Sequence, residues 1–326
     1  MPGYIGCRNV VRNRNDPGVT MSESNNLRRS GLAAALLYLL LWSLSTFYLY
    51  RAGADWSFPI ISLGIFGIAL SGLAWALTRR SKAPAVPVAR PRIEAAALLL
   101  YLLFYSFVVL GWALGAVKAA VPPGQAQELA TLALKLLVHV VAPVGLLLLL
   151  RAPIRAMFDT GLSRPGFWPT LIVLGAILLG LLAVVSPSLG QIATLGLAPP
   201  ALTLGIIGAF AWIALEAGLC EEFLFRAALQ SRLAAVLESP VAAIVVTSIL
   251  FALAHVPGLY LRGTPDTDGW STDPLQVVAF TIATLSPISI LFGILWARTR
   301  SLLLVVLLHA AIDVLPFTAE FVKIWG

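Results

Sequence analysis

The sequence predicts an all-α fold: a polytopic bundle of about eight or nine transmembrane helices. Three observations carry this reading. Of 326 residues, 59% are hydrophobic and only 11% are charged, and the mean hydropathy of +0.92 excludes an ordinary soluble globule. Apolar runs of about 20 residues, the length that crosses a hydrocarbon core, recur along the chain. The Arg and Lys residues gather in every second connection between those runs.

In chain order, residues 1–30 are polar and basic with no apolar run, and read as a disordered cytoplasmic tail. Met21, followed by Ser-Glu-Ser, is a second candidate start. The first apolar run begins late and is long enough to span, so no cleavable signal peptide is expected. Spans are read at 31–50, 56–77, 95–117, 127–150, 168–188, within 205–237, and at 241–259, 275–297 and 301–318. The basic stretch 78–92, with Pro84, Pro87 and Pro91, is the clearest linker. It divides accessory helices and their linker (31–92) from further transmembrane helices (93–200) and a C-terminal core (201–326).

The net charge of +7 does not mark a nucleic-acid binder, because its placement follows the membrane. Arg28 and Arg29 precede the first span and Arg51 alone follows it. Arg79, Arg80, Lys82, Arg90 and Arg92 fill the next connection, and Lys118 stands alone in the one after. Arg151, Arg155 and Arg164 come next, then a connection with none. Arg226 and Arg232, Arg262 alone, Arg298 and Arg300, and Lys323 alone complete the alternation. The positive-inside rule then places the N-terminus in the cytoplasm. Localisation in the cell (inner or plasma) membrane and contact with membrane lipid follow. Cys7 and Cys220 are too few and too far apart for a disulfide framework.

The chemistry is concentrated in three places. Glu221-Glu222-Phe223-Leu224-Phe225-Arg226 puts two carboxylates in an apolar segment, where ionisable groups are costly and mark functional sites. On a helix Glu222 faces Arg226 one turn on, so the two can neutralise each other, while Glu221 points elsewhere without a local cation. Phe251 and His255 share a helical face in the next span. In the last, His309 and Asp313 lie one turn apart. If Pro240 and Arg300 mark the same membrane edge, His255 lies roughly 22 Å deep and His309 roughly 13 Å. Glu221 reaches that range if its helix continues to about Leu237, with Arg232 snorkelling back to the headgroups.

These elements resemble the CPBP family of CAAX prenyl proteases and bacteriocin-processing, Abi-type membrane proteins. Glu-Glu-x-x-x-Arg corresponds to Glu221, Glu222 and Arg226; Phe-x-x-x-His to Phe251 and His255; the last His and its polar partner to His309 and Asp313. The similarity covers roughly residues 200–318. It implies an intramembrane glutamic endopeptidase without a cofactor. Glu221 and His255 would activate a water, His309 and Asp313 would stabilise the oxyanion, and Glu222, Arg226 and Phe251 would support the site. The implied substrate is a peptide or membrane protein, lipid-modified or not. Asp313 departs from the Asn of the prenyl-protein proteases, since an ionised Asp cannot donate to an oxyanion. Ala227 stands where Gly often follows the motif Arg.

Two other readings use the same residues. Glu221, His255, His309 and Asp313 could ligate zinc, although the chain has no His-Glu-x-x-His. A transporter or an immunity scaffold is the non-proteolytic alternative. The Glu/His set would then serve as a proton relay, and Lys135 and His139, one turn apart, with Pro143 freeing the carbonyl of His139, are the best support for that reading. Lys135 also lies near enough to the outer edge to snorkel, which favours a structural role. There is no Gly-x-Gly-Asp, and Ser286 and Ser289 lack a Gly-x-Ser context, so aspartyl and serine intramembrane proteases do not fit. Glu216, upstream of the paired carboxylates, has no role at this level.

Overall fold

A computed structural model describes residues 21–326, with side chains from Arg29 onward. Cys7 and residues 1–20 of the expected tail lie outside the described residues. From Met21 the backbone is helical, so the last ten residues of the stretch read as a tail belong to the first helix.

Among the described residues there are no strands, and nine helices are long and apolar enough to cross a membrane. They are α1 (Met21–Arg51), α2 (Ser57–Leu77), α3 (Pro91–Ala120), α4 (Gln125–Leu149), α5 (Phe167–Val185), α6 (Pro199–Leu237), α7 (Pro240–Arg262), α8 (Pro274–Thr299) and α9 (Leu302–Trp325). The protein is thus an all-α, multi-pass membrane bundle. The helices begin where local chemistry dictates. Ser239, Asp273 and Ser301 accept from the amides of Ala242, Leu275 and Leu304, satisfying orphan donors at the starts of α7, α8 and α9. Pro240 and Pro274 occupy first-turn positions, where their missing N–H costs nothing. Besides the start of α1, the largest shifts from the sequence expectation are that α6 starts at Pro199 and α9 runs on to Trp325.

The connections sort by end. Those carrying the clustered basic residues meet one another: Ser81 donates to the Pro165 carbonyl at 3.1 Å, Arg298 to the Thr78 carbonyl at 2.9 Å, and the Leu302 amide to the Asp159 carbonyl at 2.9 Å. At the opposite end Tyr48 donates to Asp273, and Gln125 to the Ile324 carbonyl at 3.1 Å.

The interior is built by α7, α8, α9 and the second half of α6. Every residue from Glu222 to Ala234 is buried, whereas much of the first half of α6 is open. The first two helices pack on α8, and the contact has a specific cause. Pro287 cannot donate to the carbonyl four residues back, that of Ala283, and the Trp42 indole N–H fills the vacancy at 3.0 Å. Tyr38 to Ser286 at 3.0 Å and Ser62 to the Thr284 carbonyl at 2.7 Å complete the seam.

Arg232 corrects the sequence reading. It does not snorkel: it is fully buried and pairs with Glu94 of α3 at 3.1 Å, with Met157 Sδ 3.1 Å from its Nη1. A charge that finds an opposite charge inside the bundle has no reason to reach headgroups.

The Ala283 carbonyl offers a test of the α1–α8 seam. Trp42→Phe keeps an aromatic side chain but orphans this carbonyl, and should lower stability by about 1–3 kcal/mol. Thermal unfolding in detergent measures this, and an unchanged midpoint would show the indole bond to be dispensable.

Candidate active site

Glu222 sits at the centre of the buried polar groups. Its Oε2 accepts from Arg226 Nε at 2.9 Å, one turn along α6, and both side chains are fully buried. Its Oε1 accepts from His309 Nδ1 of α9, also at 2.9 Å. One carboxylate therefore ties two helices together. Arg226 extends the network to α8 through Nη2 to Ser289 Oγ at 3.0 Å. Its guanidinium lies 5.2 Å from the centre of the Phe251 ring, a cation–π contact. Arg226 Nη1 has no hydrogen-bond partner, so the ring face is its compensation.

Glu221 occupies a different environment. Its Oε2 lies 4.0 Å from His255 Nε2 and 3.8 Å from His309 Nε2. These separations exceed a direct hydrogen bond and fall within reach of a bridging water. His255 donates Nδ1–H to the Phe251 carbonyl at 2.7 Å, so in the neutral ring Nε2 carries the lone pair on the Glu221 side. The Phe251 ring packs against His255 with centroids 4.7 Å apart. His309 Nε2 is 3.3 Å from Asp313 Oδ2, and Phe292 stacks on the imidazole at 5.2 Å. The support pair Glu222–Arg226 is closed to solvent, whereas His255 and Asp313 retain 34% and 28% exposure and Glu221 16%. The open side of the cluster is thus the Glu221 side.

All seven residues singled out by the sequence, Glu221, Glu222, Arg226, Phe251, His255, His309 and Asp313, fall in this one cluster. Sequence reasoning missed Ser289 and Phe292, which lie three residues apart on one face of α8, and the contact of Glu222 with His309. It also missed Gly218. A Cβ there would lie 2.8 Å from the Val306 carbonyl oxygen, so glycine lets α6 press against α9. That approach brings Glu222, one turn further along, against His309, one turn beyond Val306.

Two further expectations change. Lys135 does not snorkel but pairs with Glu216 at 2.5 Å, which gives Glu216 a partner. His139 is a closed structural group: Nδ1 donates to the Lys135 carbonyl at 2.8 Å, Nε2 faces the Tyr105 hydroxyl at 2.5 Å, and the side chain is buried. As for a metal, His309 Nδ1 is already committed to Glu222. Among the described residues no group of three or more His, Cys, Asp or Glu is arranged to hold a metal ion.

Residues 203–315, from α6 into α9, match the family described as type II CAAX prenyl endopeptidase, Rce1-like. The match covers every residue of the cluster and is consistent with the CPBP/CAAX protease family reached from the motifs. No curated protein and no solved structure matches the chain. At family level the protein is similar to membrane-embedded proteases.

Two substitutions probe how the site is built. Glu222→Ala leaves Arg226 buried and unpaired, and should cost about 3–5 kcal/mol, read as a lower unfolding midpoint in detergent. Gly218→Ala forces a methyl group onto the Val306 carbonyl, and should destabilise by about 1–3 kcal/mol. A Gly218→Ala protein as stable as wild type would mean that α6 and α9 do not need this close approach.

Proposed function

We propose that the protein is an intramembrane endopeptidase that hydrolyses a peptide bond in a membrane-associated or lipid-modified peptide or protein, using water activated by Glu221 and His255. The observation that carries this is the approach of the Glu221 carboxylate to both imidazoles, 4.0 Å from His255 and 3.8 Å from His309. A water between Glu221 and His255 loses a proton to the carboxylate as its oxygen attacks the scissile carbonyl carbon. His309, donating Nδ1–H to Glu222, directs Nε2–H at the oxyanion. Asp313 holds that same hydrogen until substrate arrives, a role open to an ionised carboxylate that cannot itself donate. Collapse of the tetrahedral intermediate breaks the C–N bond, and the proton on Glu221 passes to the departing amine. Donors fixed in a site away from bulk water are where oxyanion stabilisation is worth most. No covalent intermediate is needed.

The alternation of basic connections supports a cell-membrane protein with its N-terminus and basic end in the cytoplasm. The proton-relay reading loses the support it had, because both nitrogens of His139 are engaged and Lys135 is paired.

Glu221→Gln keeps the shape and removes the base, so cleavage of membrane peptides should fall by about 10²–10⁴-fold while the unfolding midpoint stays near wild type. Cleavage at the wild-type rate by this variant would overturn the assignment. Strong chelators should leave the activity of the purified protein intact, and loss of activity restored by zinc would transfer the four polar residues to a metal mechanism.

A further inference from the structure

The Lys135–Glu216 ion pair has no part in the hydrolysis described above. Lys135 Nζ bonds Glu216 Oε1 at 2.5 Å, and both side chains are largely shielded. The pair stands beside the Glu221 cluster. α4 and α6 run side by side in the same direction: Gln125–Leu136 packs on Ala214–Leu219, and Leu137–Val141 on Cys220–Glu222. Lys135 lies at the step between these two contacts. A regular helix would turn Glu216 and Glu221 about 140° apart. The wide turns over Ala214–Leu219 reduce that angle and bring the two carboxylates toward one face.

The lysine is held from its own helix and from α3. His139, one turn on, donates Nδ1–H to the Lys135 carbonyl at 2.8 Å and meets the Tyr105 hydroxyl through Nε2 at 2.5 Å. Tyr105 and His139 are both buried. Lys135 and Tyr105 lie within electrostatic reach of Glu221. The groups around Glu221 differ in kind. His255 on α7 and His309 on α9 are cations only when protonated. Asp313 on α9 is acidic, as are Glu216 and Glu222 on α6, and Glu222 already shares its charge with Arg226. Cys220 on α6 and Tyr105 on α3 add a thiol and a phenol. Lys135 is the cation from α4, and an ammonium holds its charge through the range in which an imidazole loses it.

We propose that Lys135 is a positioning residue for the catalytic carboxylate: anchored to Glu216, it sets a permanent positive charge beside Glu221 and keeps that side chain in the ionised form that takes a proton from water. The proposal rests on the endopeptidase reading. A carboxylate in an apolar bundle is a base only while ionised, and shielding from water favours its neutral form. A nearby cation opposes that preference. Glu216 sets the strength of the effect, because it fixes the ammonium in place and draws part of its field away from Glu221. A bridge that only held α4 against α6 would need neither the shared face nor the approach to Glu221.

The test uses the full chain in phosphatidylcholine vesicles with a pool of apolar peptides held well below saturation. Initial cleavage rates, read by mass spectrometry, then follow kcat/KM, and the acid limb of their pH profile reports ionisation of the free enzyme's base. Lys135→Met removes the cation, so the limb should move to higher pH by about one unit. Lys135→Arg should return it toward wild type. Glu216→Gln removes the competing anion and leaves the ammonium to Glu221, so the limb should move the other way, to lower pH. A purely structural bridge cannot give opposite shifts from its two halves, because breaking it from either side loosens the same contact. Limbs that stay at the wild-type pH, or that move in the same direction, would overturn the proposal. Should Lys135→Met not fold, Glu216→Gln decides alone: a lower limb supports the proposal, and an unmoved or higher one overturns it. Failure of wild type to cut the pool, or undiminished cutting by Glu221→Gln, would remove the endopeptidase reading and the proposal with it.

Discussion

The Glu222 carboxylate, shared between Arg226 and His309, is the interaction on which the rest of the site depends. All three groups sit inside the bundle with little or no exposure. An unpaired charge there would be prohibitively expensive, so each requires the others. The requirement is geometric as well as energetic. Accepting from His309 Nδ1 fixes which ring nitrogen faces Asp313 and Glu221. Binding Arg226 orients a guanidinium that reaches Ser289 on α8 and the Phe251 ring on α7. Phe251 in turn accepts from His255 through its carbonyl. Four helices are therefore registered by one carboxylate, and the neighbouring residue, Glu221, is left on the less buried side, near His255 and His309.

Adjacent glutamates can differ this much because α6 is not a uniform helix. Wider turns, with hydrogen bonds that skip five residues, run through Ala214–Leu219 and Phe223–Gln230, and only Cys220–Glu222 between them keeps regular spacing. Such turns are frequent at functional sites, since they shift a side chain's direction without ending the helix. Gly218 lies in the first of these segments, where α6 meets the backbone of α9. Local widening and close approach together place Glu222 beneath His309 and leave Glu221 on the open side.

Most of the fold was legible in the sequence because a bilayer imposes a strong and local rule: about 20 apolar residues per span. The start of α6 was not, since Pro199 and Pro200 read as a loop although proline suits a first helical turn. The seven polar and aromatic residues of the site were legible from i, i+4 spacing within single helices. What spacing cannot carry is partnership across the chain. Arg232 was assigned to headgroups because Glu94, its partner, lies 138 residues away. Lys135 was assigned to the outer edge because its pairing with Glu216 crosses 81 residues. Both errors have the same origin. A single helix shows that a charge needs an answer, and only the packed bundle shows where the answer comes from.

Charge pairing also sorts the carboxylates of the bundle. The acidic side chains within the described spans are Glu94, Glu128, Glu216, Glu221, Glu222, Asp313 and Glu320. Three of them are matched by Arg232, Lys135 and Arg226. Glu221 and Asp313 instead have histidines as their close charged neighbours. A histidine is an answer that depends on protonation, whereas the three ion pairs join carboxylates to arginine and lysine side chains. The bundle thus answers Glu94, Glu216 and Glu222 with fixed cations and gathers Glu221 and Asp313 around His309, so that one cluster holds carboxylates whose neighbours are imidazoles.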